Sequence, residues 1–99
     1  MPDTVRSALD RALEALDGLQ DLGEDVEDEW TYVTDLGAAW RDRLDAVVEA
    51  RGDDPLPGGR SAAIDRAIEE AGLVSDPHRA IDWLSTFPQI VLVAVGERP

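Results

Sequence analysis

Seven positions, Val26, Trp30, Val33, Gly37, Trp40, Leu44 and Val47, follow one another at steps of four, three, four, three, four and three. An unbroken alternation of this kind holds its residues on one side of a helix, whereas a strand would scatter them over both faces. Leu36 and Val48 broaden the seam. The spacing predicts one long helix over residues 26–51. Its start in the acidic run 24–29 complements the positive end of the helix dipole, and Arg41, Arg43 and Arg51, ahead of Gly52, complement the negative end. At helical rise such a segment is about 39 Å long, as long as a domain of this size is wide. Residues 29–36, rich in strand-favouring types, offer a rival reading as a strand, which the continuous register opposes.

A second amphipathic face runs from Thr4 to Leu22, with Val5, Leu9, Leu13, Leu16 and Leu19 widened by Ala8 and Ala12. Asp3 or Thr4 caps its start, Gly18 or Gly23 marks its end, and Asp10, Arg11, Glu14 and Asp17 fall on its solvated side. Residues 52–60 are dense in glycine, proline and aspartate and read as a loop between two helical halves of a single domain, 1–99. Beyond it, Ser61 is a candidate N-cap for a helix presenting Ile64, Ala67, Ile68 and Ala71 and ended by Gly72. Asp76 followed by Pro77 is a cap-and-start signal for a further helix, with Ala80, Ile81, Leu84 and Phe87 on one face. Pro88 is expected to interrupt that helix.

The six aliphatic residues from Ile90 to Val95 then admit two conformations. Four of them are β-branched, which favours a strand, yet a strand needs a partner for its backbone groups. A short helix apolar all round needs none, and it suits a core plug covered by Trp30, Trp40 and Leu44. The fold expected is all-α, a small bundle of four to five helices with one long central helix. The alternative is α+β, with a short two-stranded sheet from residues 30–34 and 90–95.

Charge narrows the partners. The chain carries 22 carboxylates against nine arginines and no lysine, for a net charge of −13. That balance excludes phosphate-rich partners such as nucleic acid and disfavours anionic membrane surfaces. Ten of the acids and only two of the arginines lie in residues 1–29, so the excess is concentrated at the front. With fourteen Asp to eight Glu, the composition resembles that of proteins from organisms that hold molar salt in their cytoplasm. Carboxylates hold water and hydrated cations, while salt screens their repulsion to about 3 Å at 1 M. There is no cysteine, and the opening is acidic and amphipathic where a signal peptide is basic and then apolar. A soluble, halophilic, cytoplasmic protein is the expectation.

Little in the chain points to chemistry. His78 is the only histidine, which rules out paired-histidine metal sites, and its place beside Pro77 reads as an exposed first-turn residue. Residues 57–61 glancingly resemble a phosphate loop but lack its lysine and follow Asp53 and Asp54, which repel an anion. Glu24 and Glu27 are spaced E-x-x-E, and Asp42 and Asp45 are spaced D-x-x-D. Together they resemble the magnesium-binding pattern of the all-α nucleotide pyrophosphohydrolases of the MazG type, which implies a metal-dependent enzyme with those four residues as ligands. In that family the second pair is E-x-x-D on a separate helix, so that the pairs face each other across the metal. Here both pairs fall along one predicted helix, with Glu27 and Asp42 about 22 Å apart, and a solvated acidic face explains the same residues. Arg41 and Arg43 beside Asp42 and Asp45 read as ordinary helix-surface ion pairs.

Trp30 and Trp40, on the seam, are candidate core or dimer-interface residues, Gly37 is a candidate point of close backbone approach in a homodimer, and Trp83 is the candidate for contact with a protein partner. The residues indicate no cofactor. The reading favoured is a non-enzymatic protein-interaction or regulatory module with an unidentified partner.

Overall fold

In a computed structural model of the chain, in which residues 3–97 are described, the Thr4 hydroxyl accepts the amide N–H of Ser7 at 3.2 Å and starts helix α1, Val5–Gly23. Thr4 is therefore the cap, and Val5, Ala8, Leu9, Ala12, Leu16 and Leu19 of the predicted face are buried, while Leu13 is half-buried at its edge. Asp3–Thr4 (β1) also pairs antiparallel with Pro55–Leu56 (β2), Asp3 opposite Leu56 and Thr4 opposite Pro55. The anticipated loop thus contributes a two-residue strand. The alternative sheet does not form, because residues 30–34 and 90–94 are both helical.

Helix α2 spans Trp30–Arg51 and begins four residues later than the heptad spacing predicts. Val26 is extended, and Glu27–Glu29 form a single 3₁₀ turn whose three carboxylates sit at the positive end of the helix. Val33, Gly37, Leu44 and Val47 are buried, Trp40 is half-buried and Trp30 is 53% exposed. The reason lies in α1: it ends at Gly23, opposite Val33, so the turn of α2 that carries Trp30 has no α1 residue left to cover it. At about 33 Å by helical rise, α2 fits within the 42 Å longest dimension of the molecule.

Helix α3, Gly58–Gly72, starts three residues before Ser61, whose hydroxyl is used elsewhere, and buries Ile64, Ala67 and Ala71. Helix α4, Pro77–Ala94, is capped by Asp76, which accepts the N–H of His78 at 3.0 Å. It runs through Pro88 without a break, contrary to the expected interruption. A proline inside a helix costs about 3 kcal/mol. Leu84, Phe87, Val91 and Leu92 are fully buried around it, and each contributes about 1.5–3 kcal/mol by burial. Packing on both sides of the proline outweighs the lost bond.

The aliphatic tail is thus the second half of α4 rather than a fifth helix. Helix α4 as a whole packs chiefly against α1 and α3 and less against α2, with Val91, Leu92 and Val95 of the tail fully buried and Trp30 of the expected cover 53% exposed. The helix closes on a Schellman motif: Glu97 N–H bonds to Leu92 O at 2.9 Å and Gly96 N–H to Val93 O at 3.0 Å, with Gly96 at φ +87°. The result is a four-helix all-α bundle with one small sheet closing one end. None of its helices within the described residues is long and apolar enough to cross a membrane.

Candidate groove at the α3–α4 turn

Polar ties between elements account for several of the charged residues. The Asp3 carboxylate accepts from Arg11 Nη2 at 2.6 Å and from Ser61 Oγ at 2.6 Å, while Arg11 Nε bonds Asp65 at 3.2 Å. This cluster joins β1, α1 and α3. The hydrogen bond from Arg11, followed by that from Ser61, holds the Asp3 carboxyl well below the usual carboxylate range. Between α1 and α2, Arg41 pairs with Asp17 and donates to Gln20 Oε1 at 3.0 Å, and Gln20 Nε2 donates to Glu24 at 3.0 Å. Thr34 Oγ1 also donates to Glu24, at 3.1 Å. At the other end, Arg51 bridges Asp54 at 3.2 Å and Glu97 at 2.9 Å.

These ties place the acidic pairs. Glu24 is engaged with Gln20 and Thr34, Glu27 lies in the 3₁₀ turn, and Asp42 and Asp45 are exposed along α2. Among the described residues, no group of three or more metal-ligating side chains forms, so the four carboxylates are not brought onto one ion. Ser61, in the phosphate-loop-like stretch, is bound to Asp3, and His78 is an exposed first-turn residue. The close approach at Gly37 is made within the chain, by the Gln20 side chain of α1.

The concave surface with the most distinct chemistry lies where α3 turns into α4. Glu70, Leu73 and Val74 line one side of a groove of about 520 Å³, and Arg79, Asp82, Trp83 and Thr86 on the first turns of α4 line the other. Leu73 is 83% exposed, the most exposed large apolar side chain among the described residues, yet the turn is fixed by bonds from Leu73 N–H to Glu70 O and from Val74 N–H to Ala71 O. Trp83 is half-buried, with its ring 6.5 Å from that of Phe87 and its indole N–H buried without an acceptor among the described residues. Glu70, Arg79 and Asp82 are exposed and form no ion pair among the described residues.

Val74 also lines a second groove, of about 500 Å³, between α1 and α3, walled by Ala15, Leu19, Leu22 and Ile68. The α3–α4 turn is thus an apolar ridge between two hollows. Of the candidate interface residues, only Trp83 lines the first groove; Trp30 stands apart at the start of α2, and Trp40 is half-buried along it with its indole N–H also without an acceptor among the described residues. Leu73 and Val74 belong to no periodic face. The one signal for them is an apolar pair stranded between Gly72 and Asp76, outside both helices. Compared with protein-family models, with curated proteins and with solved structures, the chain matches none.

Proposed function

We propose that the chain is a non-enzymatic protein-interaction module of a salt-adapted cytoplasm, and that the ridge and groove at the α3–α4 turn are its contact surface. The observation that carries this reading is Leu73, 83% exposed on a backbone held in place by its own hydrogen bonds, beside a half-buried tryptophan. Exposing a leucine to water forgoes about 1.5–3 kcal/mol of burial, and tryptophan is enriched among the residues that dominate interfaces. A photo-crosslinking amino acid at position 73, in cells native to the protein, tests it. A discrete heterologous adduct from position 73, absent when the same amino acid replaces Glu49, is the expected result; no adduct at position 73 refutes the reading.

A homodimer is a second reading, favoured by the exposure of Trp30 (53%) and Tyr32 (51%) in the first turn of α2. Twofold pairing is the commonest assembly of soluble chains. Sedimentation in high salt at tens of micromolar reports either 10.8 kDa or twice that mass, and a monomer ends this reading.

A further inference from the structure

We propose that the groove beside Trp83 takes a basic amphipathic segment of a partner protein, with its apolar side chains on Leu73, Val74 and Trp83 and its cations on Glu70 and Asp82. This rests on the interaction-module reading and adds the chemistry of the occupant. Leu73 lines the groove yet is 83% exposed, so it stands at the rim. A small molecule seated inside leaves that side chain in water, whereas a polypeptide segment crossing the rim covers the rim and the floor together. The charge of the segment follows from what the groove leaves unmatched. Two carboxylates, Glu70 and Asp82, and one guanidinium, Arg79, line it, and none of the three is paired within the chain among the described residues.

Around them lies a chain of net charge −13, and at molar salt, where the Debye length is about 3 Å, selection falls to the charges in direct contact with Glu70 and Asp82. A second copy sets its own acids directly against Glu70 and Asp82, a contact that like charge opposes. Anionic lipid is excluded likewise. An amphipathic helix that sets one apolar face into a groove and keeps its charges at the edges is an established mode of peptide recognition, and it suits a hollow between two helix ends.

The test is amide-resolved NMR of the labelled chain, titrated in 1 M KCl with a designed Lys/Leu amphipathic helical peptide. At that salt the Debye length is about 3 Å, so attraction from distant carboxylates is removed and only contact pairs register. The expected result is saturable shifts confined to residues 70–86, with affinity lowered about tenfold in E70K/D82K and in L73Q and less than about twofold in D45K/E49K, a matched reversal on α2. A Glu/Leu peptide with the same apolar face is expected not to bind. If it binds the same residues equally well, the cationic occupant is refuted while the module reading stands. Scattered shifts, equal loss in the two charge reversals, or no binding of the Lys/Leu peptide also overturn the proposal. The crosslink at position 73 is blind to charge and judges the module reading separately.

Discussion

The side-chain amide of Gln20 occupies the space that a Cβ on Gly37 would fill. Glycine inside a helix costs about 1 kcal/mol relative to alanine. Here that cost makes room for a side chain that links Arg41 to Glu24 through bonds of 3.0 Å each. Alanine at position 37 displaces the amide, which is flexible enough to move but loses both partners. Gln20→Ala is expected to cost about 1 kcal/mol in the native background and close to nothing in the G37A background. Urea denaturation of the four-member cycle checks this, and additive effects would show that the two positions are uncoupled.

Gly18 is the contrasting case. It lies inside α1, and a Cβ there meets nothing within 4 Å. With no steric demand to satisfy, Gly18→Ala should stabilise the chain by about 0.5–1 kcal/mol. Thermal unfolding reports it, and a loss of stability would refute the open surroundings of this position.

Acid should loosen the β1–α1–α3 junction through Asp3. Its carboxyl is held below the ordinary carboxylate range, so as pH falls the unfolded chain takes up the proton before the folded one does. The contribution is therefore full above the unfolded value near 3.9 and declines below about pH 4. Asp3→Asn is expected to cost about 1–2 kcal/mol at pH 7, a figure reduced by solvent screening at Arg11. The difference between native and variant stability should narrow steadily between about pH 4 and pH 2. A gap that stays constant over that range would take the ionised carboxylate out of the explanation.

Salt separates two explanations of the acidity. Screening of a net charge of −13 is nearly complete by a few tenths molar, since the Debye length is already about 8 Å at 0.15 M. Salt adaptation goes further, because carboxylate surfaces that hold hydrated cations continue to gain. We expect melting temperatures that still rise between about 1 and 3 M KCl, with partial unfolding in dilute buffer. A plateau below about 0.5 M would leave screening as the whole effect.

The helices were legible where periodicity and caps agreed. The α1 face, the Asp76–Pro77 start and the burial of Val33, Leu44 and Val47 follow directly from residue spacing. The start of α2 was not, because a heptad register continues through a 3₁₀ turn as readily as through a helix. Pro88 misleads for a different reason: local propensity opposes the helix there, and burial of its helix neighbours Leu84, Phe87, Val91 and Leu92 against other elements decides the matter. The β1–β2 pair and the Asp3–Arg11–Ser61 cluster join positions more than fifty apart, which no local pattern records. In the groove, Trp83 was visible as an aromatic off the main face of its helix. Leu73 and Val74 were not, since a turn has no period to read.

The small sheet also fixes where the two ends of the described chain emerge. Asp3 pairs with Leu56, Val5 N–H bonds to Asp54 O, and Glu97 bonds to Arg51, so residues 3 and 97 both anchor on the segment 51–56. The groove lies at the other pole, where Gly23 at the end of α1 meets Ile81 near the start of α4. Geometrically the molecule is a plug with both leads on one side and the α3–α4 groove on the other. It can be spliced into a surface loop of a host protein, or tethered at either lead, without obstructing Leu73.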